Sequence, residues 1–542
     1  MSLFIKFRSV MFPRCSLFVL LLAVFVPQIQ ADWLTFGHDP QRSGWAQEEK
    51  IISSANAGQL QLGWTVQLDN APLALNALTA PVVVQDVETP KGKKNLLFVA
   101  GSSNHLFAVD TQDGTVLWTR TFGTHVAAKE ESFYLCPNAV NATPVIDKEH
   151  SLVYAISFDG KLYGMDLATG DVKFGPFQLV PAASKTWSLN LQDGVIYTTT
   201  SQACGGDRSG IYSIRVDNPM HTESHELLVR KGFGGGMWSR GGLVIGKNKL
   251  LYAVTGDGAF DPAAGDYSNS FLAVTPRVLD VVDYFTPLNW KDVSKLDLDL
   301  PSGGHLALTA GDREYVIGGG KESVVYLLDA KALGTGNHQK PVFATPILAN
   351  EGRALEEKGM WGAPAAWTDE SGQAWIYVTV WGALSSYASA FPMSNGPVPH
   401  GSILAFKLVS APTGEAQLQP AWISPDFNLP DPPVVANGVL FGLATGENPR
   451  QDKQLGVLHF KSTEEWKKNL LTTAERAAGT QPAVLYALDA KTGKVLYQSG
   501  SAMKSWVHFS GLAVSGGAVY AVDHDSRVYC FRPGQAVERS TQ

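Results

Sequence analysis

The chain has 542 residues, 45% hydrophobic and only 17% charged, with 53 glycines and 30 prolines. That composition supplies a large core and many turns, and it excludes a disordered polypeptide. A formal charge of −7 would repel phosphate backbones, so a nucleic acid is not an expected partner.

Residues 1–31 read as a secretory signal. A basic lead with Lys6, Arg8 and Arg14 precedes the apolar run CSLFVLLLAVFV (Cys15–Val26) and PQIQA, ending at Ala31. The run falls short of the roughly 20 residues a bilayer span needs, which favours a cleaved leader over a short membrane anchor. Losing its three positive charges would take the formal charge from −7 to −10. No later segment is long and apolar enough to span a membrane. The expectation is a soluble, periplasmic or secreted protein with a single domain over residues 32–542.

LQLGWTVQL (Leu60–Leu68) follows as a lone strand with no hairpin of its own. Then LFAVDTQDGTVLW (Leu106–Trp118) opens a series that includes LYGMDLATGDVKF and closes on the similar LYALDAKTGKVLY (Leu485–Tyr497). Each of these stretches alternates apolar residues, breaks at Asp and Gly, and resumes alternation, as a β-hairpin does. The Asp accepts turn amides, and Gly114, Gly170 and Gly493 take the positive φ that closes the turn. The framework recurs eight times, with its small or equivalent position at Ala108, Gly164, Ser213, Ala273, Leu327, Ala405, Ala487 and Cys530. Two further short strands precede each hairpin. Eight four-stranded units predict an all-β, eight-bladed β-propeller. The last unit, Gly511–Phe531, has only three strands, so Leu60–Leu68 is expected to be its outer strand and to close the ring.

In such a blade the connections from strand two to three, and from strand four to the next blade, open on one end of the ring. The tight repeat turns open on the other. The long insertions, Thr255–Ser270, Trp381–Ser402 and Gly446–Pro482, fall on the first end, where they are expected to cover a site. The last contains STEEWKKNLLTTAERAAG, predicted as one helix with Ser462 and Glu465 as its capping box and Gly479 as its stop. Cys136 and Cys204 fall on the same end, where a disulfide between them is possible. Cys530 takes a framework position and reads as a packing residue. The sequence has no CxxCH, the motif of covalent c-type haem.

The turn pattern A-x-D-x-x-x-G-x-x-x-W, carried by Ala108, Asp110, Gly114 and Trp118, resembles that of the pyrroloquinoline-quinone (PQQ) repeat proteins over nearly the whole mature chain. Within them the resemblance is to quinoprotein alcohol dehydrogenases. WLTFGHDPQRSGW and VVDYFTPLNW resemble phrases of the polyvinyl-alcohol-dehydrogenase-like branch. In that family a Trp stacks on the quinone, a Lys or Arg touches it, Asn or Asp and Glu hold a Ca²⁺, and a nearby Asp is the base. The resemblance puts Trp238 of MWSRGG at the stacking position and Asp257 of VTGDG at the metal position. It puts Asp299 of LDLDLPSGG, with Asp297 two residues earlier, at the base and second metal position, and Lys321 of GGGKES at the cationic contact. The face rule, applied independently, sends all four to the insertion-bearing end.

The chain departs from the methanol-type enzymes in lacking adjacent cysteines. Where their Glu ligand would stand, QACGGDRSG offers Asp207 as a substitute. Each residue also has a structural reading: Trp238 as blade packing, Asp257 and Asp261 as turn formers, Asp297 and Asp299 as solvated acids. Two functions follow. One is an exported PQQ-dependent dehydrogenase, with Ca²⁺ and no covalent haem, that oxidises a small alcohol or sugar-like substrate and passes electrons to a separate acceptor. The other is a non-catalytic propeller serving as a protein-interaction scaffold in the cell envelope.

Overall fold

Alternating residues in each repeat leave two apolar faces per sheet, which only neighbouring sheets can cover. The computed structural model describes residues 31–534 except 124–135, 137–139, 141, 207–208, 219, 221, 230–233, 352–357 and 455–462. The expected signal, apart from Ala31, and Asp207 therefore lie outside the described residues. Blade 1 comprises Val82–Thr89, Gly92–Gly101, His105–Asp110 and Val116–Thr121. Blades 2 to 7 follow within residues 145–178, 185–228, 244–285, 305–344, 359–423 and 434–498. In blade 8, Leu60–Gln67 pairs antiparallel with Arg527–Pro533, bringing Trp64 opposite Cys530. The chain is thus the expected eight-bladed β-propeller, closed at the expected seam.

The eight framework positions all lie on the third strand of a blade. Ala108 sits between Phe98 and Trp118 on the flanking strands, and Ala405 between Tyr377 and Trp422. Cys530 sits between Tyr520 and Trp64. A small side chain there makes room for two large ones across the ladder. Burial pushes the free Cys530 thiol up to about 12, as its packing role requires.

The turns form as expected. Gly114, Gly170 and Gly493 have φ of 82°, 72° and 69°. Asp110, Asp166 and Asp489 each accept a turn amide through Oδ1. Each glycine also receives a tryptophan from the preceding blade. Trp64, Trp118 and Trp422 lie on Gly114, Gly170 and Gly493, and their indole N–H groups donate to the carbonyls of Thr111, Leu167 and Ala490 at 2.9, 3.0 and 3.0 Å.

The stretch before the first blade circles the channel and meets every blade in turn. Trp33 bridges Val83 of blade 1. The carbonyls of Leu34, Pro40, Gln41, Ser43 and Gly44 accept the amides of Ile146, Ile245, Ala307, Ala366 and Val435 in blades 2, 4, 5, 6 and 7. Thr35 Oγ1 donates to the Leu189 carbonyl at the edge of blade 3, and Glu49 accepts the Gly517 amide of blade 8. Arg42, 1% exposed, holds this segment by donating to Thr35 Oγ1 and to the carbonyls of Phe36, Leu189 and Leu243. Phe36 packs with Ala80 and Ala363 and faces Gly241 and Gly511, so residues from blades 1, 4, 6 and 8 meet on it and plug the channel.

The three insertions join the second and third ladder strands of blades 4, 6 and 7, all on one end. The predicted single helix is two, Thr463–Asn469 and Thr473–Ala478. Leu470 leaves the first to bridge Asp452, and Thr472 with Glu475 forms the capping box of the second. Ser462 lies outside the described residues, and Gly479 caps the second helix. Cys136 and Cys204 form a disulfide across 68 residues, with Cα atoms 5.3 Å apart. No helix among the described residues is long and apolar enough to cross a membrane.

Candidate active site

Five connections converge at the insertion-bearing end and are laced together by their backbones. Gly256 N–H donates to the Gly236 carbonyl, and Gly235 N–H donates to that of Asp257. Lys321 N–H donates to the Asp299 carbonyl, and Ser302 Oγ donates to the carbonyls of Asp299 and Met360. This lacing brings Trp238, Asp257, Asp299 and Lys321 together. The loop sequence follows from it: a Cβ on Gly256 would stand 2.9 Å from Asp299 Oδ1 and 3.4 Å from Trp238 Nε1.

The Lys321 ammonium donates to Asp297 Oδ1 at 3.0 Å and Asp299 Oδ2 at 3.1 Å. It lies 5.4 Å from the Trp238 ring and 5.5 Å from that of Trp361. Asp299 is buried, and its other oxygen accepts the Asp257 backbone N–H at 2.7 Å. Both Asp299 oxygens are therefore engaged. Asp297 is 55% exposed and holds φ of 54°, a left-handed conformation that costs a non-glycine residue energy and is concentrated at functional sites.

One ligand oxygen from each of Asp257, Asp297 and Asp299 lies within 4.8 Å of the others. Three carboxylates against one ammonium cannot all ionise cheaply. The Asp299 charge, burial and Asp297 push the Asp257 carboxyl up to about 8. Desolvation, then Asp299, pushes Asp297 up to about 7, although Lys321 opposes it. Burial alone would raise Asp299, but Lys321, Asp297 and the Asp257 N–H hold it below the usual carboxylate range. Burial would lower Lys321, but Asp297 and Asp299 keep its charge well above the ordinary ammonium value.

An all-oxygen donor set with surplus negative charge fits a hard cation such as Ca²⁺. In the same loop as Asp257, the buried Asn269 Oδ1 has no hydrogen-bond partner, a further uncommitted oxygen. The aromatic wall fits a planar cofactor. Trp238 is half-buried and its ring centroid is 5.8 Å from that of Trp361, which stacks with Trp381 and Phe509 at interplanar angles of 21° and 9°.

Sequence reading missed Trp361 and the channel aromatics. The signal was present: the tripeptide GMW precedes blade 4 at Gly236–Trp238 and recurs before the main strands of blade 6 at Gly359–Trp361.

Residues 42–218 match the family model described as outer membrane protein assembly factor BamB, a PQQ-repeat model. The chain is thus similar over this part to the PQQ-repeat proteins, and over most of its length to quinohemoprotein alcohol dehydrogenases. It is 23% identical to the quinohemoprotein alcohol dehydrogenase of Comamonas testosteroni over 86% of this chain and 69% of that one. It is 24% identical to alcohol dehydrogenase ADH IIB of Pseudomonas putida over 61% of this chain, about half (51%) of that relative's length. Among solved structures, the fold is similar to quinohemoprotein alcohol dehydrogenase ADHIIG from Pseudomonas putida, with a TM-score of 0.56 at 14% identity over 93% of this chain and 80% of that one. It is also similar to a europium-containing methanol dehydrogenase, with a TM-score of 0.53 at 13% identity over 92% and 89%.

Proposed function

We propose that this protein is an exported, PQQ-dependent dehydrogenase that oxidises a small alcohol or sugar-like substrate in the periplasm or outside the cell. The observation that carries the reading is the Lys321 ammonium bridging Asp297 and Asp299 against the indoles of Trp238 and Trp361. Similarity to named alcohol dehydrogenases supports it.

Trp238 would carry the flat face of the cofactor, and Lys321 would lie at its edge. When bound, the quinone supplies a two-electron acceptor for the hydride leaving the alcohol carbon. Asp257, Asp297 and Asp299 would hold the cation, whether Ca²⁺ or a lanthanide such as the europium of the methanol dehydrogenase similar in fold. Asp299 was the base expected from the resemblance, but both its oxygens are engaged. The accessible Asp297 is the better group to take the substrate hydroxyl proton, and Asp299 acts by positioning Lys321. With no CxxCH in the chain, electrons would pass to a separate acceptor.

The test is reconstitution with PQQ and Ca²⁺, or with La³⁺. A bound-quinone absorbance and alcohol-dependent dye reduction are expected, both lost in Lys321→Ala. No quinone uptake with either ion would overturn the reading. It would favour a cell-envelope scaffold, which the match of residues 42–218 to an assembly-factor family model supports.

A further inference from the structure

The candidate active site uses one end of the ring, and the opposite end, where the tight turns lie, carries a cavity of its own. It opens between blades 6 and 7 and measures about 500 Å³, within the range of about 300–1,000 Å³ that small-ligand sites occupy. Asp369 and Glu370 reach it from the first turn of blade 6, Asn437 from the first turn of blade 7, and Asp489 and Lys491 from the last turn of blade 7. Trp45, Gln47, Lys50 and Ser54 come from the segment that circles the channel, fixed there by the parallel pairing of Trp45 and Ala46 with Val435 and Ala436. Trp367 completes the wall, packed in the same hydrophobic cluster as Trp45.

The charged groups of this wall answer one another. Lys491 Nζ pairs with Glu370, lies 3.5 Å from Asp369 Oδ2 and stands 5.9 Å from the Trp367 ring. Asp369 also accepts the amides of Ser371 and Gln373 and the indole N–H of Trp375. Asp489 Oδ1 accepts the Lys491 amide and the Thr492 hydroxyl, and Lys50 Nζ donates to the Gln47 carbonyl. A charged ligand would gain little from groups so paired and screened. What stays uncommitted is neutral. Nearby, Trp375 and Trp422 donate their indole N–H groups to Asp369 and to the Ala490 carbonyl, but those of Trp45 and Trp367 have no acceptor among the described residues and are not sealed from solvent. Trp367 is only 5% exposed, and an indole so buried ordinarily finds a partner. Asn437 donates through Nδ2 to the Ile52 carbonyl at 3.0 Å, which leaves its Oδ1 to accept, and the side chains of Gln47 and Ser54 add neutral donors and acceptors at the rim.

We propose that this cavity binds a neutral saccharide, on the end of the ring away from the candidate active site. A pyranose ring has an apolar C–H face for the half-buried Trp45 indole. Its hydroxyls both accept and donate, so they match the two indole N–H groups, the Gln47 amide and Asn437 Oδ1 together. A phosphate ester would meet three carboxylates against two ammonium groups and be repelled. The inference stands apart from the dehydrogenase reading, since it needs neither a quinone nor a metal ion. A free sugar and a segment of polysaccharide share this chemistry, and the experiment separates them.

The experiment is isothermal titration calorimetry of the purified protein, without added quinone or Ca²⁺, using maltose, cellobiose and N,N′-diacetylchitobiose. Co-sedimentation with insoluble starch, cellulose and chitin tests the polymeric source, and thermal melts confirm that each variant is folded. Wild type should bind at least one of these probes. Trp45→Ala should weaken that binding about ten-fold or more, and Trp45→Phe, which keeps a ring but loses the N–H, should recover part of the loss. Gln47→Ala changes an exposed side chain outside the core and should weaken binding about three-fold. Disaccharide binding with these losses identifies a free sugar as a sufficient ligand, and co-sedimentation with the same losses but no disaccharide binding identifies the polymer. No binding of any probe by wild type, or binding that Trp45→Ala and Gln47→Ala both leave unchanged, overturns the proposal.

Discussion

The indole of Trp118 in blade 1 covers Gly170, the turn glycine of blade 2, and donates to the carbonyl of Leu167 in the same turn. A Cβ on Gly170 would stand 2.7 Å from the indole Cε3, and φ there is 72°. Gly170→Ala should therefore lose both the turn conformation and the blade contact, for about 2 kcal/mol of stability. Trp118→Ala should lose about 3 kcal/mol. Urea denaturation followed by fluorescence reads both, and an unchanged midpoint for Gly170→Ala would show that the contact does not hold the blades together.

Arg42 is the second structural test. Its guanidinium satisfies four acceptors on the segment that circles the channel and on blades 3 and 4. Arg42→Ala should leave buried carbonyls unpaired and loosen Phe36, costing about 3 kcal/mol. Hydrogen exchange should then quicken for the amides of Ile146, Ile245 and Ala307, which donate to that segment. Loss of stability without faster exchange there would refute its role as a tie.

The disulfide makes a prediction of similar size. Closing a 68-residue loop restricts the unfolded chain by about 4 kcal/mol on the chain-entropy account, and Cys204→Ser should forfeit much of it. Thermal melts with and without a reductant should show the wild type falling toward the variant and the variant unmoved.

The acidic cluster sets a pH dependence of stability. The folded-state carboxyls of Asp257 and Asp297 titrate near 8 and 7, above their unfolded values near 4. Below about pH 4 both states are protonated and the cluster is neutral in its effect. As pH rises toward 8 the unfolded chain ionises first, so stability falls across that window and the full penalty stands above it. Asp257→Asn should flatten the fall in a series of urea melts, and added Ca²⁺ should reverse it in the wild type. A metal-free stability that rises from pH 5 to 8 by way of this cluster would contradict the geometry.

Lys321 separates stability from chemistry. Lys321→Ala leaves the buried Asp299 uncompensated and should cost about 3 kcal/mol. In reconstituted protein, Asp297→Asn should depress kcat most, because its carboxyl is the accessible one. Asp299→Asn should weaken quinone uptake through Lys321. Equal kcat in Asp297→Asn and wild type would return the base role to Asp299.

How far the sequence reaches depends on the range of the interaction. The repeat turns, the small residue between two large ones and the unpartnered strand Leu60–Gln67 are encoded within a few residues of themselves, so the blades and their seam were legible. The two-strand face rule then carried Trp238, Asp257, Asp299 and Lys321 to one end without coordinates. The helix of the third insertion was misread because Thr472 offers as good a cap as Ser462, and the bridge from Leu470 to Asp452 decides the break.

Local alternation and turn chemistry determined the eight blades, their closure and the end on which the site lies, because each needs only neighbours in the chain. Tertiary structure alone decided which aspartate stays open and that Trp361 and Phe509 wall the site. Those outcomes depend on distances and burial among residues from different blades, which no spacing along the chain can express.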